Sequence, residues 1–254
     1  MSLTIWTQCG GDKLIVPQEL EAHRVVENQF NSSTRKLVDS LPEHDLLEQM
    51  IEEGKPPRPE HTGPDRPHYL MYTPFRYLPR LSRFNTLAEL PLWYGAHRVE
   101  TALAEKSFHT ICFLEGSPDL TDPFEARWTS FRASIKTNNY VDLTRSEFES
   151  HHSAISNPVT YRDSQPLGAS MRAGGIEAFS FQSARDPSGK NVGVFTLNAF
   201  SPKAPIEEEY RGWIAYVTRQ SITIYRVPGM RDDQITFTRH QFIIDGVLPH
   251  PTAA

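Results

Sequence analysis

The sequence VETALAEKSFHTICFLE at residues 99–115 predicts a helix, because Ala, Leu and Glu dominate its first half and favour helical backbone. Leu103 and Phe108 fall on a common side of that helix, which predicts a buried face. Downstream, WTSFRASIK at residues 128–136 alternates apolar and polar side chains, the pattern of a half-buried strand. A long helix followed by such a strand indicates that helices and strands share one domain.

Five more strand patterns follow. They read IEAFSFQ at 176–182, NVGVFTLNAF at 191–200, WIAYVTR at 213–219, SITIYRV at 221–227 and QITFTRHQFII at 234–244. Short β-rich runs separated by turn signals such as DPSGK favour a largely antiparallel sheet. The predicted fold class is therefore α+β, with a mixed, largely antiparallel sheet core, flanking helices and an N-terminal helical extension. A doubly wound Rossmann sheet is not expected.

The N-terminal region is polar and is predicted to be helical. ELEAHRVVENQ at residues 19–29 fits an amphipathic helix, and EHDLLEQMIEE at residues 43–53 fits a second one. Ser40 and Pro42 suit the start of the second helix, since the missing proline N–H has no helical partner there. Gly54 supplies a C-terminal stop.

A proline-rich stretch separates this region from the rest of the chain. KPPRPEHTGPDRPH at residues 55–68 contains five prolines, which remove backbone donors and fix φ, so an extended connector is predicted. A boundary near residue 68 gives a helical extension with its connector over 1–68 and one α+β domain over 69–254. We expect residues 1–60 to pack against that domain or mediate self-association, and to restrain its activity.

Composition and charge argue against several classes of protein. The 26 Lys and Arg residues against 31 Asp and Glu give a net charge of −5, which disfavours a nucleic-acid binder with a broad basic surface. No stretch is apolar enough to span a bilayer and no signal-peptide pattern opens the chain, so a cytoplasmic protein is expected. Cys9 and Cys112 form no CxxC pair, which disfavours a disulfide scaffold or a thiolate zinc site.

Common catalytic motifs are missing from the sequence, among them GxGxxG, HExxH and GxSxG. Ser188, Gly189 and Lys190 lack the first glycine of a phosphate-binding loop and are predicted to form a hairpin turn. His151 and His152 are adjacent but have no third ligand at a suitable spacing, so no metal site is predicted.

Two segments concentrate polar and aromatic residues. The first, FRYLPRLSRFNTLAELPLWYGAHRVETALAE at 75–105, contains Arg76, Tyr77, Arg83, Tyr94 and Glu105. Arginine suits bidentate phosphate capture, and tyrosine combines a stacking face with a hydroxyl. The second segment, GGIEAFSFQSARDPSGKNVGVFTLNAF at 174–200, places Ser183 at a strand end, where side chains often line a site. Together these residues indicate an anion site with a carboxylate.

Each of these residues also has an ordinary structural interpretation. The two arginines could form surface ion pairs and Tyr94 could pack in the core. Glu105 could be a solvated helix residue, and Ser183 could bond its own backbone in a turn. Residue types and spacing alone leave both interpretations open.

The order of the motifs closely resembles the RES domain, a bacterial family named after its Arg, Glu and Ser residues. The matching motifs are Arg76-Tyr77, Arg83-Phe84-Asn85, Leu92-Trp93-Tyr94, Glu100–Glu105, Gly175-Ile176, Ser183-Ala184-Arg185, Gly189 and Asn191–Phe195. The resemblance covers roughly residues 69–200. This chain departs from the family by its N-terminal helices and by an insertion expected around 116–155.

The resemblance implies a fold similar to ADP-ribosyltransferases and a toxin that consumes NAD⁺ by hydrolysis, by phosphorolysis or by modifying a protein. NAD⁺ is then a substrate, and no cofactor is expected. The implied partner is an Xre-like antitoxin that occludes the active site and makes the DNA contacts itself. Self-association of the toxin is a further expectation.

The resemblance also assigns roles to residues. It implies catalytic roles for Arg83, Glu105 and Ser183, and NAD⁺ binding by Arg76, Tyr77 and Tyr94. Glu105 would bind ribose hydroxyls and place negative charge beside an oxocarbenium-like state. Ser183 would orient the substrate or Glu105, while Arg185 is expected to form a structural ion pair. Two rival functions stay open, namely ADP-ribosylation of a specific protein and a catalytically silent binding module.

Overall fold

A computed structural model of the chain describes residues 4–28, 33–62, 67–201, 205, 210–227 and 234–251. Its core is an eight-stranded sheet with the order β1-β2-β5-β4-β3-β6-β7-β8. The strands are β1 (Val16–Glu27), β2 (Trp93–Ala96), β3 (Phe124–Asp142), β4 (Ala178–Gln182), β5 (Lys190–Val194), β6 (Arg211–Val217), β7 (Ser221–Val227) and β8 (Gln234–Thr238). Strands β3 and β4 pair in parallel, and the other pairings are antiparallel. The predicted mixed, largely antiparallel α+β fold is therefore confirmed, whereas likeness to ADP-ribosyltransferases stays a prediction.

The helices flank this sheet. They are α1 (Ile5–Gln8), α2 (Leu41–Glu53), α3 (Tyr69–Arg76), α4 (Val99–Glu115), α5 (His152–Ile155) and α6 (Ser164–Ala173). Short 3₁₀ helices lie at Gly11–Leu14, Ser33–Leu37, Ser146–His151, Leu197–Ala199 and Arg239–Phe242. Among the described helices, none is long and apolar enough to cross a membrane.

The helix predicted over residues 19–29 is wrong, because most of this segment belongs to strand β1. That strand pairs with β3 from Val16 opposite Tyr140 to Glu27 opposite Trp128, and it also touches β2. A long partner strand offers its backbone hydrogen bonds along the whole segment, and such tertiary pairing overrides a helical preference. The N-terminal region is thus not purely helical, and it adds a strand to the same sheet as the rest. The boundary near residue 68 stays a prediction.

Strand β1 closes a ring. It pairs with β2 and β3, which are joined to each other through β5 and β4. Buried side chains of the five strands pack together, among them Ala22, Trp93, Phe131 and Val192. Strands β6, β7 and β8 continue the sheet outward from β3.

Helix α2 confirms the second N-terminal helix. Ser40 and Glu43 form a capping box, Pro42 lies in the first turn, and Gly54 caps the C-terminus. Its apolar stripe stays at the surface, since Leu46 and Met50 are exposed. The connector that follows forms no helix or strand over its described residues, 55–62 and 67–68.

Helix α4 has the predicted bounds and supports the site. Leu103, Phe108 and Ile111 are buried in a cluster with the outer strands of the sheet. At its C-terminus, Arg219 donates to the carbonyl oxygens of Leu114 and Ser117, which joins the end of the helix to the turn between β6 and β7. The helix is therefore fixed along one side and at one end.

The hairpin joining β4 and β5 confirms the turn predicted at residues 188–190. Ser183 and Asp186 bond to Gly189 through the backbone and close the turn. Two of the predicted strands end earlier than predicted, and a 3₁₀ helix follows each of them. Strand β5 ends at Val194 and strand β8 at Thr238. In the second case, Thr238 caps the 3₁₀ helix together with Gln241.

Candidate active site

A cavity of about 340 Å³ opens between α4 and the strands β1, β2 and β5 of the closed ring. Its charged lining residues are Arg24, Arg83, Lys106, Arg185 and Glu105. Lys106 pairs with Glu27 and lies 5.5 Å from the ring centroid of Trp128. Among the described residues, three arginines from separate parts of the chain therefore line the same cavity as a single carboxylate.

The Glu105 carboxylate is held by two donors. Its Oε1 accepts a hydrogen bond of 2.7 Å from the Ser183 hydroxyl and one of 2.6 Å from the Asn191 amide. The Ser183 oxygen in turn accepts from the backbone N–H groups of Arg185 and Asp186, at 3.1 and 3.0 Å. This arrangement directs the Ser183 proton to Glu105, so the ends of the β4–β5 hairpin fix the orientation of the carboxylate.

One stretch of chain, the segment 155–161, holds two arginines. Arg83 donates from Nη1 to the carbonyl oxygens of Ile155 and Asn157, at 3.2 and 2.8 Å. Arg185 donates from Nη2 to the carbonyl oxygen of Pro158, at 2.9 Å. Carbonyl oxygens cancel none of the positive charge, so both guanidinium groups can still attract an anion.

Each of these arginines also stacks on an aromatic ring. The Arg83 guanidinium lies 5.1 Å from the ring centroid of Tyr161, and that of Arg185 lies 3.5 Å from the centroid of Phe108. Arg185 is therefore part of the cavity wall, and a structural ion pair of Arg185 stays a prediction.

Comparison with protein families agrees with this geometry. The family model of the RES domain matches residues 58–213, more than half of the chain. The chain belongs to the RES domain family. RES domains are generally associated with NAD-related toxin function. A search of curated proteins found no match.

Tyr94 lines the cavity of this RES domain, and its hydroxyl is hydrogen-bonded to other groups of the protein. It bonds to the Ser82 hydroxyl at 3.0 Å and accepts from the backbone N–H of Phe84 at 3.2 Å. Burial raises the pKa of Tyr94 far above its ordinary value. The phenol therefore holds the loop that carries Arg83, which lies between those two residues.

Arg76 and Tyr77 do not line the cavity, although Arg83, Tyr94, Glu105 and Ser183 are brought together there. Arg76 ends helix α3, where it donates to the carbonyl oxygen of Pro56 at 2.7 Å and pairs with Glu52 at 2.9 Å. Its side chain is 8% exposed because these partners enclose it. Tyr77 follows the helix and is exposed. Strand β1 instead brings Arg24 to the cavity, where Arg76 was predicted.

Arg24 was missed because residues 19–29 were expected to be helical. It projects from β1, which precedes the part of the chain that matches the family model. Its guanidinium lies 5.3 Å from the ring centroid of Trp93, and its buried Nη1 has no hydrogen-bond partner among the described residues. Burial lowers the pKa of Arg24 to about 10, so the group stays charged at neutral pH.

Asn191, His109 and Tyr161 also line the cavity and were given no role by sequence reasoning. A signal existed for two of them. Asn191 opens the last matching motif. His109 follows Glu105 by four residues, which places His109 and Glu105 on one side of α4. Nothing local in the sequence connects Tyr161 with Arg83.

Proposed function

We propose that this RES domain cleaves the bond between nicotinamide and ribose in NAD⁺. The observation that carries the proposal is the fixed Glu105 carboxylate, held by Ser183 and Asn191 in a cavity that also contains Arg24, Arg83 and Arg185. A dinucleotide has the complementary chemistry, because its pyrophosphate is an anion and its nicotinamide ribose becomes cationic during cleavage.

The charge of each residue determines its proposed role. The three arginines attract the pyrophosphate, and each of them is held in place over an aromatic ring. Nicotinamide leaves as a neutral molecule and needs no general acid. Glu105 places its negative charge beside the oxocarbenium-like ribose, where a carboxylate already oriented by two donors loses little energy in reorganising.

The proposal includes regulation by a partner, an Xre-like antitoxin that occludes the cavity. Support comes from the loop that carries Arg83. Leu78, Leu87 and Leu90 on this loop are 87, 67 and 75% exposed. Exposed leucines on a loop that also reaches the cavity suit burial under another protein.

The first experiment measures nicotinamide release from NAD⁺ by the purified chain, with and without phosphate, for the wild type and Glu105→Gln. We expect the variant to keep its fold and to lose about 10²-fold or more of the rate, because it lacks the charge that stabilises the transition state. Release without phosphate indicates hydrolysis, and strict dependence on phosphate indicates phosphorolysis. Retention of more than about a tenth of the rate contradicts the role of Glu105.

A second readout separates cleavage from transfer. A mass increase of ADP-ribose on a co-incubated cellular protein would indicate an ADP-ribosyltransferase instead. In cells, induction of the wild type should lower NAD⁺ and arrest growth, whereas Glu105→Gln should do neither. No release, no transfer and no growth effect would contradict the proposal.

A further inference from the structure

His109 lies one helical turn after Glu105 on α4 and lines the same cavity. Side chains four residues apart on a helix are neighbours, with Cβ atoms about 5–6 Å apart. Phe108 beside it is buried under Arg185, whereas part of His109 stays accessible to solvent although the cavity walls surround it. Water that enters the cavity therefore meets an imidazole next to the carboxylate.

The other polar groups of the cavity are poorly suited to accept a proton. Oε1 of Glu105 already accepts two hydrogen bonds, and the proposed function uses this carboxylate as the charge beside the ribose. The arginines and Lys106 are cations without an acceptor. Burial raises the pKa of both Tyr94 and Tyr161, so their phenols stay protonated.

Two histidines remain in the lining, His23 and His109. His23 belongs to β1, opposite Ala96 of β2, whereas His109 shares a helix face with Glu105. An imidazole is the side chain best suited to take up a proton near neutral pH. Position and chemistry therefore single out His109.

The charged groups around His109 favour its neutral form. Glu105 and Lys106 come from its own helix, Arg83 from the loop after α3, and Arg185 from the segment after β4. The pKa of His109 is lowered, first by desolvation and also by the cations Arg185, Lys106 and Arg83, while Glu105 acts in the opposite direction. A neutral imidazole is the form that can accept a proton.

We propose that His109 is the general base that takes a proton from the water attacking the ribose. This inference rests on the proposed NAD⁺ cleavage. The bond between C1′ and the nicotinamide nitrogen breaks, and its electron pair leaves with nicotinamide. The water oxygen bonds to C1′, its proton passes to a ring nitrogen of His109, and His109 later releases that proton to solvent.

The test uses His109→Asn in the full-length chain, with His240→Asn as the matched control. His240 is an exposed histidine outside the cavity lining. Circular dichroism and thermal melting first establish that both variants fold. Hydrolysis by His109→Asn should fall about 10²-fold or more in kcat with little change in KM, since removal of a general base affects the chemical step. His240→Asn should match the wild type.

Azide distinguishes a base from a merely structural residue, because this anionic nucleophile brings no proton to be removed. In the presence of azide, the ratio of azide adduct to ADP-ribose should be at least tenfold higher for His109→Asn than for the wild type. The wild-type rate should also decrease as pH falls through the pKa of His109, and the variant should lack this dependence.

Three results would overturn the proposal. His109→Asn could hydrolyse NAD⁺ within threefold of the wild type, its product ratio with azide could equal that of the wild type, or its loss could lie in KM alone. If the wild-type chain itself releases no nicotinamide, the proposed function fails and this inference falls with it. If release requires phosphate, the proposed function stands and this inference is overturned. If the wild type is active and Glu105→Gln is not, only the role of His109 is at issue.

Discussion

At the scale of single residues, Ser183 links the backbone of a turn to the cavity carboxylate. Ser183→Ala removes one of the two donors to Glu105 and leaves the N–H groups of Arg185 and Asp186 without their acceptor. We expect the free energy of unfolding to fall by about 1–3 kcal/mol and nicotinamide release to fall about 10-fold. Chemical denaturation and the release assay measure both, with the exposed Ser146→Ala as control. Wild-type activity in a folded Ser183→Ala would contradict the view that this hydroxyl positions Glu105.

A second prediction at the residue scale concerns pH. Tyr140 donates to the Ser180 hydroxyl at 2.7 Å, and the same hydroxyl is hydrogen-bonded to Nε2 of His97, also at 2.7 Å. Burial lowers the pKa of His97, Lys190 lowers it further, and Asp142 opposes both. Below about pH 6.5 the unfolded chain then binds more protons than the folded one, so stability decreases as pH falls through the folded pKa.

The measurement compares free energies of unfolding at pH 7.5 and 5.5 for the wild type and His97→Gln, whose amide oxygen can still accept from Ser180. The wild type should lose more stability than the variant over this interval, because carboxylates and the other histidines contribute equally to both. An equal loss in the two proteins would show that His97 does not set this pH dependence.

At the scale of elements, β1 decides whether the N-terminal region is an accessory or part of the core. Ala22→Pro removes a backbone donor inside a strand that pairs along most of its length, at a side chain with no exposed area. The variant should lose about 3 kcal/mol or more of stability. Glu60→Pro, in the irregular connector, should change stability by less than about 0.5 kcal/mol. Thermal melting of both tests this, and a stable Ala22→Pro would contradict an integral β1.

Particular elements show what the sequence could and could not predict. Helix α4 and strands β4, β6 and β7 carry strong local periodicity, and each was predicted within a few residues. Strand β3 was located, but it runs from Phe124 to Asp142 where only residues 128–136 were predicted. β1 was not, because ELEAHRVVENQ fits a helix as well as a strand, and its distant partner β3 decides the outcome. For the same reason, Arg76 was predicted to lie at the site in place of Arg24. Each is an arginine in a plausible motif, and only the closed ring of strands brings one of them to Glu105.

At the scale of the whole molecule, the cavity draws its walls from chain segments far apart in sequence, from His23 in β1 to Asn191 in β5. The match to the family model covers most of these segments but omits β1. A version of this protein reduced to residues 58–213 would therefore lack Arg24 with strand β1, most of β6, and strands β7 and β8. We expect such a fragment to be insoluble or inactive.

The closed ring of strands also governs when the cavity assembles during synthesis of the chain. Residues 16–27 leave the ribosome early, but their partner β3 ends at Asp142, and the hairpin that fixes Glu105 ends at Val194. Pairings over such separations form slowly, because the intervening chain must lose its freedom first. A nascent chain thus carries no assembled cavity until about three quarters of it has been made.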